Sequence, residues 1–357
     1  MILWEVRRIQ IWNHYPKGCS MNHSTSQPKN RPLTVDIVAL GESMLTLRPT
    51  PGQELFEWEV SGAESNVARY CAALGLQAAW VSQIGTDLAG DLVLSVIKAA
   101  GVDVGGVLRV PDRQTGLMLK EATANERRVR YYRAGSAAAA MGPPIGPNLA
   151  RYPRILHLTG ITLGLSSTCR ELVESLIGNR PTASCLSFDV NWRPTAWNGD
   201  DPPTALRETA NRCDIVFVGL DEARELWGAT SAADVRRLLP RPTTLVVKDA
   251  ANGAHADLGS KSLFVPALQG PVVDPVGAGD AFAAGFLFGV LRYDGCIEAC
   301  LRLGHITAMS SLVQRNDVGP ITDDSTLRLL LDMSPRQWQT AHLDLTRPPA
   351  GSRPAQG

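Results

Sequence analysis

Asp274-Pro275-Val276-Gly277-Ala278-Gly279-Asp280-Ala281-Phe282-Ala283-Ala284-Gly285-Phe286 is the stretch whose reading decides the fold. Gly277, Ala278 and Gly279 are small enough to let several backbone N–H groups converge on one negative group. The apolar run from Ala281 to Val290 predicts a helix. The unpaired N–H groups and dipole at its start favour an anion such as a phosphate. Asp280 falls on the first turn, where a carboxylate can take a proton from a hydroxyl that attacks a phosphate. The plainer alternative is a helix start with glycines for packing and an aspartate as cap. A second carboxylate, Asp274, and the small-residue helix that follows favour the site reading. No Walker-type GxxxxGK[ST] occurs, so no lysine of that kind clamps the phosphates.

Upstream, short apolar runs alternate with helix-length segments. Residues 35–40, 78–84, 154–160, 184–190, 214–218 and 243–247 read as buried strands. Residues 64–74, 89–100, 168–177, 203–213, 221–227 and 232–239 read as helices. This rhythm predicts an α/β fold with a central, mainly parallel sheet covered by helices on both faces. Ligands on such sheets bind beyond the strands' carboxyl ends. Segments 44–48, 55–60, 107–110, 115–121 and 127–133 read as strands without intervening helices, hence a small antiparallel sheet.

Composition narrows the class. The chain has 357 residues, 44% of them hydrophobic, and zero formal net charge, so neither nucleic acid nor an acidic membrane surface is expected as a partner. No run approaches a membrane span. The seven cysteines form no CxxC pair, which suits buried free thiols in a reducing cytoplasm. Residues 1–33 read as a flexible extension without a secretory signal, with Met21 an alternative start. Residues 34–335 read as one domain, with the small sheet drawn from about 44–61 and 107–134. Residues 336–357 read as a partly disordered tail.

The GAGD stretch resembles the signature of the ribokinase-like (PfkB) family of carbohydrate kinases. The resemblance implies that Asp280 is the catalytic base, that the amides of Gly277, Ala278 and Gly279 form the anion hole, and that ATP and Mg²⁺ are used. It also implies that the small sheet is a lid that excludes water from the sugar.

Ser61-Gly62-Ala63-Glu64-Ser65-Asn66 precedes the first long helix. Small residues there admit a ligand, and Asn66 can donate to and accept from hydroxyls. A capped helix start is the plainer reading. The segment resembles the family's GGxxxN sugar motif, implying contacts from Gly62, Ala63 and Asn66. In Val129-Arg130-Tyr131-Tyr132-Arg133, Tyr131 and Arg133 share one strand face. A phenol and a guanidinium suit a polar anion, and arginine is the natural carboxylate clamp. An arginine-protected edge strand is the alternative. Arg193 follows the strand in Phe188-Asp189-Val190-Asn191-Trp192-Arg193. YYR-x-GSA with FDxNxR resembles the family's 2-keto-3-deoxygluconate kinase branch, which phosphorylates a six-carbon sugar acid. That resemblance implies that Tyr131, Arg133 and Arg193 surround the acid. Met118 stands where relatives often carry an aromatic residue.

The nucleotide end departs further from the pattern. The family's Asn-x-x-Glu motif is here Gly219-Leu220-Asp221-Glu222, so Glu222, with Asp274, is the expected water-mediated metal contact. Lys248 and Gly253 stand in a KxGxxG-like turn in which Ala250 replaces the first glycine. His305 occupies a helix position that implies an adenine contact, with a packing role as the alternative. The implied partners are a sugar acid and ATP, with a homo-oligomer through the lid. A neutral-ketose kinase such as a fructokinase, and a non-catalytic sugar-acid binder, are the rival readings.

Overall fold

The structure is a computed structural model that describes residues 35–50, 53–122, 127–143, 145, 153–180, 184–197 and 201–346. The expected extension over 1–33, with its alternative start, and the end of the expected tail lie outside these residues.

The first half of the chain carries strands β1 (Val35–Leu40), β2 (Met44–Pro49), β3 (Phe56–Ser61), β4 (Ala78–Val81), β5 (Gln83–Gly85), β6 (Leu108–Val110), β7 (Leu117–Ala122) and β8 (Arg127–Tyr132). Strands β9 (Pro153–Thr159), β10 (Cys185–Asp189), β11 (Ile215–Gly219), β12 (Thr244–Asp249), β13 (Gly253–Asp257) and β14 (Ser262–Pro266) follow. The longer helices are α1 (Ala63–Ala73), α2 (Leu88–Ala99), α3 (Gly160–Leu165), α4 (Ser167–Gly178), α5 (Pro202–Ala210), α6 (Leu220–Trp227), α7 (Ala232–Leu238), α8 (Ala278–Arg292), α9 (Ile297–Leu312), α10 (Asp324–Leu331) and α11 (Pro335–Gln339).

The main sheet runs β14-β13-β12-β11-β10-β9-β1-β4. The six strands from β4 to β12 are parallel, and β13 and β14 extend one edge antiparallel. Alternate residues of β1 feed two separate cores. Ile37 and Ala39 pack with α1, α8 and α9, whereas Val38 and Leu40 pack with α4, α6 and α7. Strands buried on both faces explain the continuous apolar runs in the sequence.

The lid sheet has the order β3-β2-β7-β8. Its register puts Trp58, Leu47, Leu119 and Arg130 in one cross-strand row and Glu59, Thr46, Met118 and Tyr131 in the next. Neighbouring rows point to opposite faces, so the lid has an apolar face and a polar one.

Two expectations need adjusting, and one hairpin was not anticipated. Strand β6 pairs with β5 in a separate parallel two-strand ladder, not with the lid. The β13–β14 hairpin reads weakly in sequence: Gly253-Ala254-His255-Ala256-Asp257 mixes small and polar residues and pairs at a sheet edge. Past 335, where a tail was expected, α11 buries Trp338 to 1% exposure and Leu343 is buried beyond it.

Candidate active site

Strands β1, β9, β10, β11 and β12 all end on the same side of the sheet, and α8 begins there. Gly277 is the N-cap of α8, with φ 83° and ψ −11°. A Cβ on it would lie 2.7 Å from the Asp317 carbonyl oxygen and 3.0 Å from Ser311 Oγ. Both the left-handed backbone and the close approach therefore demand glycine. Asp274 Oδ1 accepts the Val276 N–H at 3.2 Å, and the Val276 carbonyl accepts Ser311 Oγ–H at 2.8 Å. Asp274 shapes the turn into α8.

Asp280 sits one helical turn in. Its Oδ2 accepts Asn66 Nδ2–H at 2.9 Å and its Oδ1 accepts Asn191 Nδ2–H at 3.3 Å. Asn191 reaches it from a left-handed residue, φ 38°, just beyond β10. Burial pushes the Asp280 carboxyl up to about 7, helped by the negative Asp189 and Asp317, while Asn66 and Arg193 oppose the rise. A carboxyl that titrates near neutrality is suited to take a proton from a hydroxyl and release it again.

A cation stands beside this turn. Lys248 Nζ pairs with Asp189 Oδ2 at 2.8 Å and lies 3.4 Å from where a Cβ on Gly279 would be. Burial disfavours its charge, but Asp189 and Glu222 outweigh that and hold its pKa above the ordinary value. Outside any Walker loop, β12 thus brings an ammonium to the turn that starts α8.

Glu222 is the third residue of α6. Its Oε2 accepts the Gly219 N–H at 2.7 Å, and its Oε1 accepts the Trp192 N–H at 3.0 Å and Arg193 Nη1–H at 3.4 Å. Burial raises its pKa against the pull of Lys248. Gly219 offers no side chain to this cluster. Among the described residues, no three His, Cys, Asp or Glu side chains converge to hold a metal ion. The donors fit a cation that arrives on phosphate oxygens and touches Glu222 through water, which is how Mg²⁺ is usually held.

On the sugar side, a Cβ on Gly62 would lie 2.5 Å from the Glu42 carbonyl oxygen, so Gly62 is required by packing against the residues after β1. Ala63 opens α1. The Asn66 amide nitrogen serves two carboxylates, Asp280 and, at 3.4 Å, Asp317, while its buried Oδ1 has no hydrogen-bond partner. Arg133 is buried; its Nη2 pairs with Glu42 Oε2 at 2.5 Å, its guanidinium lies 5.6 Å from the Tyr131 ring centroid, and its Nε makes no hydrogen bond. Arg193 is half-exposed and turns toward Glu222 and Asp280, so it does not share a cluster with Arg133.

Four further acidic or amide residues escaped the sequence reading as site residues. Asp189 and Asn191 lay inside the FDxNxR motif and were readable there. Glu42 follows β1 directly. Glu64 is buried, accepts Thr159 and Thr162 hydroxyls at 2.6 Å each, and has its pKa raised chiefly by burial. Its carboxylate fills the space that a side chain on Gly41 would need.

His305 has the packing role. Its Nε2 is 3.0 Å from the Val265 carbonyl oxygen, its ring meets Phe282 edge-on, and burial drops its pKa to about 4. Nothing exposes it to a ligand, because α9 turns this position inward under α11. Ala250, in place of the first glycine, has φ 43°, in the left-handed region, and Gly253 has φ 144° with the Val265 carbonyl 2.4 Å from a notional Cβ.

An eight-stranded α/β sheet, a β-lid and a glycine-started helix bearing a tuned carboxylate define a ribokinase-like sugar kinase architecture. Residues 35–323 match the pfkB family carbohydrate kinase model, and the chain belongs to that family of carbohydrate kinases. It is 32% identical over 280 residues to the 2-dehydro-3-deoxygluconokinase of Bacillus subtilis (strain 168), covering 72% of this chain and 84% of that one. The crystal structure of a PfkB protein from Polaromonas sp. JS666 superposes with a TM-score of 0.70 at 32% identity, over 79% of this chain and 98% of that one. Fructokinase with bound ATP from Xylella fastidiosa gives a TM-score of 0.70 at 25% identity, over 79% and 93%. No described helix is long and apolar enough to cross a membrane.

Proposed function

We propose that this kinase transfers the γ-phosphoryl group of ATP to the 6-hydroxyl of 2-keto-3-deoxygluconate. The observation that carries the reading is Asp280, held by two amides at the mouth of an anion-binding turn and tuned to titrate near 7. In this reading Asp280 takes the proton of the attacking hydroxyl. The amides of Gly277, Ala278 and Gly279 and the ammonium of Lys248 stabilise charge on the transferring group. Asn66 Oδ1, Gly62 and Ala63 line the sugar, and Tyr131 and Arg133 face its acid. Gly253 belongs to the hairpin beneath the nucleotide. Mg²⁺ bound with ATP supplies further charge neutralisation, with Glu222 touching its waters. Arg193 lies nearer the phosphates than the acid.

The sugar-acid preference is supported by the Bacillus relative's name and by the unused Arg133 Nε. A neutral ketose is the second reading, favoured by one observation: Glu42 already neutralises Arg133. The exposed Phe56, Trp58 and Tyr132 on the lid's apolar face support a homodimer through the lid. A substrate that shares the ATP pool suits a cytoplasmic enzyme. The test is ADP production with Mg–ATP and 2-keto-3-deoxygluconate, its galacto epimer, fructose, ribose or gluconate. Selective turnover of a keto-deoxy acid upholds the reading. Preference for fructose moves the substrate. No turnover, with thermal stabilisation by an acid alone, points to a binding protein.

A further inference from the structure

Asp317, in the segment after α9, is a buried carboxylate, 4% exposed, to which nothing above assigns a role. It meets two groups at once. Its Oδ2 accepts Asn66 Nδ2–H at 3.4 Å, the same nitrogen that donates to Asp280 at 2.9 Å. Its Oδ1 accepts Lys120 Nζ from lid strand β7 at 3.2 Å. Lys120 also pairs with Glu59 of β3 at 2.7 Å, and Glu59 pairs with Arg48 of β2 at 2.7 Å. Arg48 returns to the body through the Arg315 carbonyl oxygen at 2.7 Å. Three of the four lid strands therefore close onto the segment that carries Asp317.

The backbone of the same residue is equally committed. Its carbonyl lies 2.7 Å from a notional Cβ of Gly277, the cap of the anion-binding helix, and accepts Tyr70 Oη–H at 3.2 Å. The Gly319 N–H donates to Tyr70 Oη at 2.9 Å. The segment is thus pinned beneath the turn and cannot drift independently of it.

We propose that Asp317 is a positioning residue for phosphoryl transfer: it shares the Asn66 amide with Asp280 and receives Lys120 from the lid, so that seating the lid and setting the base are one linked arrangement. The inference rests on Asp280 being the base. The charged and titratable groups that face Asp280 are Asp189 from β10, Arg193 beyond it, Lys248 from β12, Tyr70 from α1 and Asp317. Of these, Asp317 alone is paired with a lid cation in the contacts described. With the lid seated, Lys120 offsets the charge of Asp317 and Asp280 ionises more readily. With the lid away, that charge acts undiminished and holds the proton on Asp280. A base ionised only under a closed lid does not activate water in the open site.

The test compares wild type, Asp317→Asn and Lys120→Met. Asn keeps the size of Asp317 and an acceptor for Asn66, so the fold is retained. The acid limb of kcat/KM for the preferred acceptor should move to lower pH by about one unit in Asp317→Asn, because a neighbouring negative charge is gone. It should move to higher pH by about half a unit in Lys120→Met, because that charge is unscreened. Amide exchange in β3 and β7 should accelerate in both variants. A structural role alone moves both limbs together or neither. Limbs that stay put or shift in the same direction, in folded variants, overturn the proposal. If wild type phosphorylates no acceptor, the reading of Asp280 as base fails first. The linkage is then judged by lid exchange alone, and unchanged exchange overturns it.

Discussion

Replacing Asp280 with Asn should stabilise the protein while removing its activity, and the gain should depend on pH in a defined way. The carboxyl has an ordinary value of 3.8 and is pushed to about 7 in the folded chain. Below the ordinary value both folded and unfolded states keep the proton, and ionisation costs nothing. As pH rises, the unfolded chain releases its proton first, so the native state loses stability progressively until the folded carboxyl ionises near 7. Above that the loss is complete. The gap corresponds to at most about 4 kcal/mol. Partial exposure to solvent and one hydrogen bond misplaced in the variant bring the expected net gain to about 1–3 kcal/mol. For a domain of roughly 300 residues, 1 kcal/mol moves Tm by about 1.5 °C, so the variant should melt about 2–4 °C above wild type at pH 8. The assay is thermal unfolding of both proteins from pH 5 to 8.5. The difference in Tm should grow with pH and level off just above 7. A difference that is flat across the range would refute the burial argument, since a lost hydrogen bond or altered packing has no such dependence.

Four other substitutions have defined outcomes. Arg133→Ala should raise KM for a keto-deoxy acid by roughly 10- to 100-fold and change KM for a neutral ketose little, because only the acid exploits the guanidinium; Arg193→Ala should act mainly on kcat, read in the same steady-state assay. Ala250→Gly should relieve a left-handed alanine and raise Tm by about 1.5–3 °C without altering kcat, a gain of about 1–2 kcal/mol. Trp58→Glu places a charge on the lid's apolar face and should convert a dimer to a monomer in sedimentation, with monomeric wild type contradicting the lid-face assignment.

Much of this architecture is legible in the chain. Strands buried on both faces appear as unbroken apolar runs, and β1, β9, β10, β11 and β12 were readable for that reason. Gly277 was readable only as one small residue of a motif, and the left-handed backbone and close Asp317 carbonyl that demand glycine there needed the structure. The edge hairpin β13–β14 was not, because its stability comes from ladder bonds to β12 and not from side-chain pattern. Residues 336–346 read as a tail because their attachment is scattered: Trp338 buries its ring and donates Nε1–H to the Pro266 carbonyl at 2.8 Å, and Leu343 donates its backbone N–H to the Gln269 carbonyl at 2.9 Å. Within the site, local motifs pointed to Asp280, Asn66, Lys248 and Glu222, and the structure brings them together at the start of α8. Asp317 and Lys120 were invisible, because they meet across 197 residues of sequence with no motif around either. His305 stayed open between an adenine contact and packing for the converse reason: a helix position specifies a face only once the packing of α9 under α11 is known.

The central claim is that Asp280 performs the chemistry and does not merely shape the helix. The most direct measurement is ADP formation by wild type and Asp280→Asn on the preferred acceptor, with ATP binding measured by calorimetry on the same preparations. The account predicts ATP binding within about threefold of wild type and turnover reduced by at least about 10²-fold, the scale expected of a general base. Turnover within tenfold of wild type, with binding intact, would contradict it.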